Sequence, residues 1–144
     1  MVTPMLAART TRVTAIDNDP AAVAALCRRT AGGVGIVRGD ATNLPFAAGT
    51  FSAVIACTML HHVPTVALQH RLFSEVARTL RPGGVFVGVD ARFSLGLWLF
   101  HLGDRWAPLV PDTIGPRLAA AGFRDIVVDV KSRYFRFCAR ASTW

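Results

Sequence analysis

Two apolar segments of strand length, each followed by small and polar residues, dominate the stretch Ile36–Val63. The first segment is followed by Gly39-Asp40-Ala41. The second is Phe51–Cys57, and Leu60-His61-His62 comes shortly after it. In open parallel sheets, ligands bind beyond the carboxyl ends of the strands. The pattern therefore predicts a parallel sheet with a site at the ends of these two strands.

Strand and helix patterns alternate along the rest of the chain. The predicted strands are Arg12–Ile16, Val34–Arg38, Phe51–Cys57 and Val85–Val89, the last ending at Asp90. The predicted helices are Thr3–Arg9, one beginning at Pro20 with Asp19 as its N-cap, Val66–Leu80 closed by Arg81 to Gly84, and Asp112–Ala121. Ile126–Val130 and Tyr134–Ala139 are expected to close the sheet as an antiparallel pair, and Phe93–Val110 to form a short helix or lid. This alternation favours an α/β fold, mostly parallel with an antiparallel C-terminal hairpin, in a single domain over residues 1–144.

The composition is typical of a folded protein without a membrane-spanning segment. Hydrophobic residues make up 52% and charged residues 17%, which excludes intrinsic disorder. No apolar run approaches the roughly 18 residues of a membrane span. Because no basic segment followed by an apolar one opens the sequence, we expect no signal peptide and a cytoplasmic location.

The charge and the cysteines argue against two further classes of site. The formal net charge is +7, but the arginines are scattered and no aromatic residues alternate with them, so nucleic-acid binding is not expected. Cys27, Cys57 and Cys138 are odd in number and far apart, which supports neither a zinc site nor a disulfide framework. We expect no bound metal and three small, buried thiols.

The order of these motifs resembles the small-molecule branch of the class I S-adenosylmethionine-dependent methyltransferases. The residues that carry the resemblance are Gly39-Asp40-Ala41, Leu44-Pro45-Phe46, a strand that opens at Phe51, and Leu60-His61-His62. The resemblance extends from about Leu6 to Arg140. It implies a Rossmann-like methyltransferase sheet, S-adenosylmethionine as methyl donor and a small-molecule acceptor. A nicotinamide dehydrogenase shares the fold but not these motifs.

The resemblance also assigns the residues that contact the cofactor. Asp17, followed by Asn18, occupies the place of the family's acid that binds the two ribose hydroxyls. Asp40 corresponds to the acid that accepts from the exocyclic amine of adenine, and the backbone amide of Ala41 to the one that meets a ring nitrogen. Turn formation remains an alternative role for both carboxylates.

The segment after Phe51–Cys57 is expected to face the reacting groups. The resemblance places Cys57 near the sulfonium of the cofactor, and His61 and His62 near the acceptor. An imidazole titrates near neutral pH, so either histidine could serve as a general base. Packing or a hydrogen bond to the acceptor is an equally good interpretation, because methyl transfer gains much of its rate from alignment of the reactants.

Two departures from the family pattern bear on function. Ser52 stands where the family usually has an acid. The family's first, central strand and its glycine-rich loop would precede Leu6–Arg9, whereas Gly32, Gly33 and Gly35 follow the second strand. We therefore expect the sequence to lack that strand and to be incomplete at its N-terminus. Two functions remain: a methyltransferase acting on a small organic acceptor, or a non-catalytic, truncated fragment that binds a partner.

Overall fold

The computed structural model describes residues 3–10, 12–30, 33–92 and 107–142. These belong to two compact units, Met1–Pro45 and Phe46–Trp144. The prediction of a helix or lid over Phe93–Val110 falls mostly outside the described residues, and the prediction of one domain stays a prediction. None of the helices in the described ranges is long and apolar enough to cross a membrane.

The first unit contains a pair of parallel strands with a helix between them in sequence. Its elements are α1 (Thr3–Ala7), β1 (Val13–Asp17), α2 (Pro20–Thr30) and β2 (Val34–Arg38). The register of β1 and β2 runs from Val13 opposite Val34 to Asp17 opposite Arg38. Asp19 caps α2, because its carboxylate accepts from the amides of Ala21 and Ala22 at 2.9 and 3.3 Å. The predicted cap and helix start are thus confirmed.

The second unit is built on a four-stranded sheet in the order β3-β4-β6-β5. Its elements are β3 (Phe51–Cys57), a 3-10 helix (Leu60–His62), α3 (Val66–Thr79), β4 (Leu80–Ala91), α4 (Pro111–Ala120), β5 (Phe123–Val130) and β6 (Tyr134–Ala141). Strand β4 is parallel to β3, whereas β6 pairs antiparallel with both β4 and β5. This confirms the predicted α/β class with its antiparallel C-terminal hairpin. In the described part of the chain, β1 pairs only with β2 and β3 only with β4.

Strand β4 begins five residues earlier than the predicted strand, at Leu80 instead of Val85. The segment from Arg81 to Gly84 carries the proline and glycines that normally end a helix without continuing as a strand. Here Leu80 already pairs with Phe51, and the register shifts between Phe51 and Ala53 before regular pairing resumes. Because of this register shift, β4 includes the turn residues Arg81–Gly84.

Aromatic side chains form the core of the second unit. The Phe86 ring is fully buried, and it contacts Phe73, Phe123 and Phe137 with centroid distances of 6.2, 5.5 and 5.0 Å. The Phe137 ring lies against the backbone of Gly88, where a Cβ atom would overlap it. Gly88 and Phe137 are direct partners across β4 and β6, so glycine at this position leaves room for the Phe137 ring to lie over β4 on the face of the sheet.

Cys138 occupies the opposite face of β6, and this overturns one expectation. Because side chains alternate along a strand, Cys138 points away from the buried Phe137 and is exposed. It lies in register with Val87 and Val127, which are also exposed. Cys27 is exposed on α2 as well. The prediction that the cysteines are buried is wrong for these two.

Replacing Gly88 by alanine tests the contact with Phe137. We expect Gly88→Ala to lower the free energy of unfolding by about 2 kcal/mol, because the added methyl group must displace a packed ring. Urea unfolding followed by circular dichroism measures this change. Gly115→Ala in α4 is the matched control: among the described residues, and apart from the backbone of its own helix, no atom lies within 4 Å of the added Cβ, so stability should rise by about 0.5 kcal/mol. Equal effects of the two substitutions would contradict the packing argument.

Candidate functional site

Asp17 and Asp40 lie at the same edge of the β1–β2 sheet. Asp17 is the last residue of β1 and pairs with Arg38, the last residue of β2. The chain then turns, and the amide of Gly39 donates to the carbonyl oxygen of Asp17 at 3.0 Å. Asp40 follows directly. The two predicted cofactor ligands of the first unit are therefore brought together at the carboxyl ends of adjacent parallel strands, which is where this class of sheet binds ligands.

Each of these carboxylates uses one oxygen to hold its own turn. The amide of Asp19 donates to Asp17 Oδ1 at 3.0 Å, and the amide of Thr42 donates to Asp40 Oδ1 at 2.8 Å. Within the described ranges, neither Oδ2 atom accepts a hydrogen bond, and the amide of Ala41 donates to none. The turn role is thus present at both positions, and it leaves one oxygen of each acid available.

In the second unit, β3 ends at Cys57 and the backbone then bends sharply. Thr58 has a φ of 48°, a left-handed conformation that is unfavourable for a β-branched residue. Its amide still donates to the carbonyl oxygen of Val89 at 2.8 Å, so the bend begins at the last rung of the sheet. The strained residue directs the chain into the 3-10 helix that carries His61 and His62.

Asp90 is the centre of the arrangement that follows β3. Its carboxylate is fully buried. Oδ2 accepts from the amides of Leu60 and His61 at 2.9 and 3.4 Å, and Oδ1 lies 2.5 Å from Nδ1 of the His61 ring and 2.7 Å from the amide of Ala91. Three backbone amides and one imidazole therefore converge on a single carboxylate at the carboxyl end of β4.

The two histidines differ in exposure. His61 is buried, with 5% of its surface exposed, whereas His62 is exposed to solvent. Their ring centroids are 4.1 Å apart with the planes tilted by 40°. His62 thus presents an imidazole at the surface, and that imidazole rests on the buried ring that Asp90 holds.

Gln69 fixes the backbone on the other side of the histidines. Its fully buried amide group donates to the carbonyl oxygens of Val63 and Ala107 at 3.2 and 3.0 Å. Its Oε1 accepts from Arg117 at 2.7 Å, and burial lowers the pKa of that arginine. The amide of Ala107 in turn donates to the carbonyl oxygen of His61 at 3.0 Å. His61 is therefore held through both its ring and its main chain.

The environment of Cys57 keeps its thiol protonated. Burial raises the pKa of Cys57, and the negative charge of Asp90 raises this pKa further. A thiol of this kind is a weak nucleophile at neutral pH. Among the described residues, no group of three or more His, Cys, Asp or Glu side chains could hold a metal ion.

Asp90 and Gln69 are not among the site residues predicted from the sequence. Asp90 follows the buried strand Val85–Val89, so the same rule that selected Asp17 and Asp40 also indicates Asp90. Gln69 gives a weaker signal: a polar residue on the apolar face of the predicted helix that also carries Phe73 and Val76. Its partners lie in other elements and cannot be read from the helix pattern.

Comparison with known proteins identifies the family. The family profile described as "Methyltransferase domain" matches residues 1–88. A fatty-acid O-methyltransferase of Mycolicibacterium smegmatis is 40% identical over 87 residues, which cover 58% of this chain and 30% of that protein. The phthiotriol/phenolphthiotriol dimycocerosates methyltransferase of Mycobacterium leprae is 40% identical over 89 residues, which cover 59% and 32%. The matched segments thus cover less than a third of the length of these two relatives.

Solved structures share the fold. A S-adenosylmethionine-dependent methyltransferase of Methanosarcina mazei superposes with a TM-score of 0.78 at 19% identity, covering 99% of this chain and 87% of that one. The N-methyltransferase NodS of Bradyrhizobium japonicum, solved with S-adenosyl-l-homocysteine, gives 0.77 at 19% identity, with coverages of 98% and 72%. The chain belongs to the methyltransferase domain family, whose methyl donor is S-adenosylmethionine.

Alkylation rates of the cysteines test the surroundings of Cys57. Because the pKa of Cys57 is raised, a smaller fraction of this thiol is ionised at pH 8 than in an ordinary cysteine. We therefore expect iodoacetamide to label Cys57 more slowly than the exposed Cys27 and Cys138. Peptide mass spectrometry over a pH series resolves the three sites, and labelling of Cys57 should increase only at higher pH. Equal rates at pH 8 would contradict the assignment.

Proposed function

We propose that this protein is a S-adenosylmethionine-dependent methyltransferase that acts on a small organic acceptor. The observation that carries the proposal is the placement of Asp17 and Asp40 at the carboxyl ends of two adjacent parallel strands, each with one oxygen unused within the described ranges. The family match over residues 1–88 includes both acids.

The carboxylates of the first unit suit the ribose and adenine of the cofactor. Asp17 Oδ2 would accept from the ribose hydroxyls, and Asp40 Oδ2 would accept from the exocyclic amine of adenine, since an ionised carboxylate only accepts hydrogen bonds. The amide of Ala41 is a donor for a ring nitrogen, and the exposed side chain of Asn18 borders the same turn. When bound, the cofactor supplies an electrophilic methyl group on its sulfonium.

The second unit would contribute the groups that face the acceptor. His62 presents an exposed imidazole, His61 stands behind it, and Cys57 ends the strand from which this segment departs. The raised pKa of Cys57 keeps its thiol neutral, so it would not compete with the acceptor as a nucleophile for the methyl group. The histidines are proposed to position the acceptor or to accept its proton.

We further propose that the acceptor is a lipophilic molecule with a carboxylate. One relative is a fatty-acid O-methyltransferase, and its similarity covers 58% of this chain. The net charge of +7 favours the approach of an anion over that of a cation. A long-chain carboxylic acid meets both conditions. Because it is ionised at neutral pH, the histidines would position it and would have no proton to accept from it.

Calorimetric titration with S-adenosylhomocysteine tests the cofactor site. We expect the chain to bind this product, and Asp17→Ala or Asp40→Ala to weaken the affinity by at least about tenfold, because each removes a hydrogen bond to a charged acceptor. Asp19→Ala is the matched control in the same turn as Asp17: it removes the helix cap and lowers stability by about 1 kcal/mol, and binding should be unchanged.

The outcomes of the titration separate the two functions. Equal losses in the Asp17 and Asp19 variants would mean that Asp17 acts only in the turn. A version extended to the previous in-frame start codon is titrated in parallel. If only the extended version binds, the cofactor site needs residues beyond this sequence; if neither binds, the methyltransferase proposal is wrong and a non-catalytic role is left.

Methyl transfer to model acceptors tests the acceptor class. Hexadecanoic acid, hexadecanol and hexadecylamine are each incubated with the protein and S-adenosylmethionine, and methylated products are detected by mass spectrometry. We expect the methyl ester of the acid as the main product, because the acid alone combines a lipophilic chain with a negative charge. Preferential methylation of the amine would overturn the proposed acceptor while leaving the methyltransferase activity established.

A further inference from the structure

We propose that Asp90 is a positioning residue for methyl transfer: it fixes the tautomer of His61 and the place of the His61–His62 pair at the end of β3. The structural half of this inference needs no ligand, and its catalytic half rests on the proposed function. The contacts that carry it are the four hydrogen bonds to the Asp90 carboxylate, all from within the second unit.

The tautomer follows from the donors around the carboxylate. An ionised carboxylate has no proton to give, so every group that hydrogen-bonds it must donate. Nδ1 of His61 lies 2.5 Å from Oδ1, and it therefore carries the ring proton. In the neutral imidazole the other nitrogen, Nε2, is then the acceptor. Asp90 thus determines which ring nitrogen can take a proton or accept a hydrogen bond.

The same carboxylate places the ring. Oδ2 binds the first two amides of the 3-10 helix, those of Leu60 and His61. One side chain consequently fixes the backbone that carries the histidine and the ring itself. His62 stacks on that ring at 4.1 Å, so its orientation depends on Asp90 through His61.

Asparagine at position 90 has a specific predicted effect. Its side chain offers one oxygen and one NH2 group, and the NH2 group cannot accept from a backbone amide. With the oxygen at the Oδ1 position, the NH2 group would face two amides, those of Leu60 and His61. With the oxygen at the Oδ2 position, the NH2 group instead faces the Ala91 amide and the His61 ring. The ring can then accept from the NH2 group if its proton moves to Nε2. Asp90→Asn should therefore invert the His61 tautomer.

The experiment is long-range proton–nitrogen NMR of the ¹⁵N-labelled chain, which has four histidines, with His61 assigned from the His61→Asn variant. We expect the wild-type ring to be protonated at Nδ1 and the Asp90→Asn ring at Nε2. Methylation of hexadecanoic acid should fall by about 100-fold in kcat, because bonds to a neutral amide hold the His61–His62 pair more weakly than bonds to a carboxylate, and a small displacement of positioning groups has an effect of this size. The affinity for S-adenosylhomocysteine should be unchanged. Asp129→Asn, the same chemical change at a surface ion pair with Arg136, should alter none of these quantities.

The variant His61→Asn separates positioning of the ring from a purely structural role. Asparagine can still donate to Asp90 from the position of Nδ1, but it lacks the rest of the ring. We expect it to fold and to lose kcat as Asp90→Asn does. Full activity of His61→Asn would show that the ring is not what Asp90 positions, and this would overturn the inference.

Wild-type protein alone also decides the structural half, even if Asp90→Asn does not fold. A wild-type His61 protonated only at Nε2 would overturn the inference. Failure of the proposed function gives a different result: no binding of S-adenosylhomocysteine and no methylation by the wild type, with the His61 tautomer still readable in the same sample.

Discussion

The second unit depends on a buried negative charge that has to be satisfied. Asp90 has no exposed surface, and burying a carboxylate is unfavourable unless hydrogen bonds replace the water it loses. The required donors come from the 3-10 helix, from the His61 ring and from Ala91. Removing one partner of a buried charged pair typically costs about 4 kcal/mol. The position of the histidines is therefore set by the needs of Asp90 more than by the helical propensity of three residues.

Other contacts make this arrangement rigid. Gln69 donates to the carbonyl oxygens of Val63 and Ala107, and Arg117, on α4, donates to the side-chain oxygen of Gln69. Thr58 has a strained, left-handed backbone conformation where the chain turns from β3 into the 3-10 helix. Strain of this kind persists only where surrounding contacts outweigh its cost. Here the hydrogen bonds to Asp90 and Gln69 are the contacts that do so.

Local sequence patterns predicted the elements well and their long-range partners poorly. Asp19 followed by Pro20 is a local signal, and α2 begins where it indicates. The segment from Arg81 to Gly84 was a misleading signal, because Leu80 before it pairs with Phe51 and Val85 after it pairs with Ala53, so β4 continues through the turn residues. Cys138 was expected to be buried, although its neighbour Phe137 faces the core and alternation then exposes it. Asp90 was located at a strand end, but its partner His61 is 29 residues distant, and no local pattern connects them.

The first unit shows why a turn role and a ligand role need not exclude each other. A carboxylate has two oxygens, and in both Asp17 and Asp40 the turn uses only Oδ1. The hydrogen bond from the turn removes rotational freedom from the side chain before any ligand arrives. Because ordering a side chain on binding costs free energy, an acid already fixed by its turn binds through its second oxygen at a lower cost than a free one. The turn role is then part of the binding mechanism. Asp19 differs from Asp17 and Asp40 because both of its carboxylate oxygens accept from the first amides of α2.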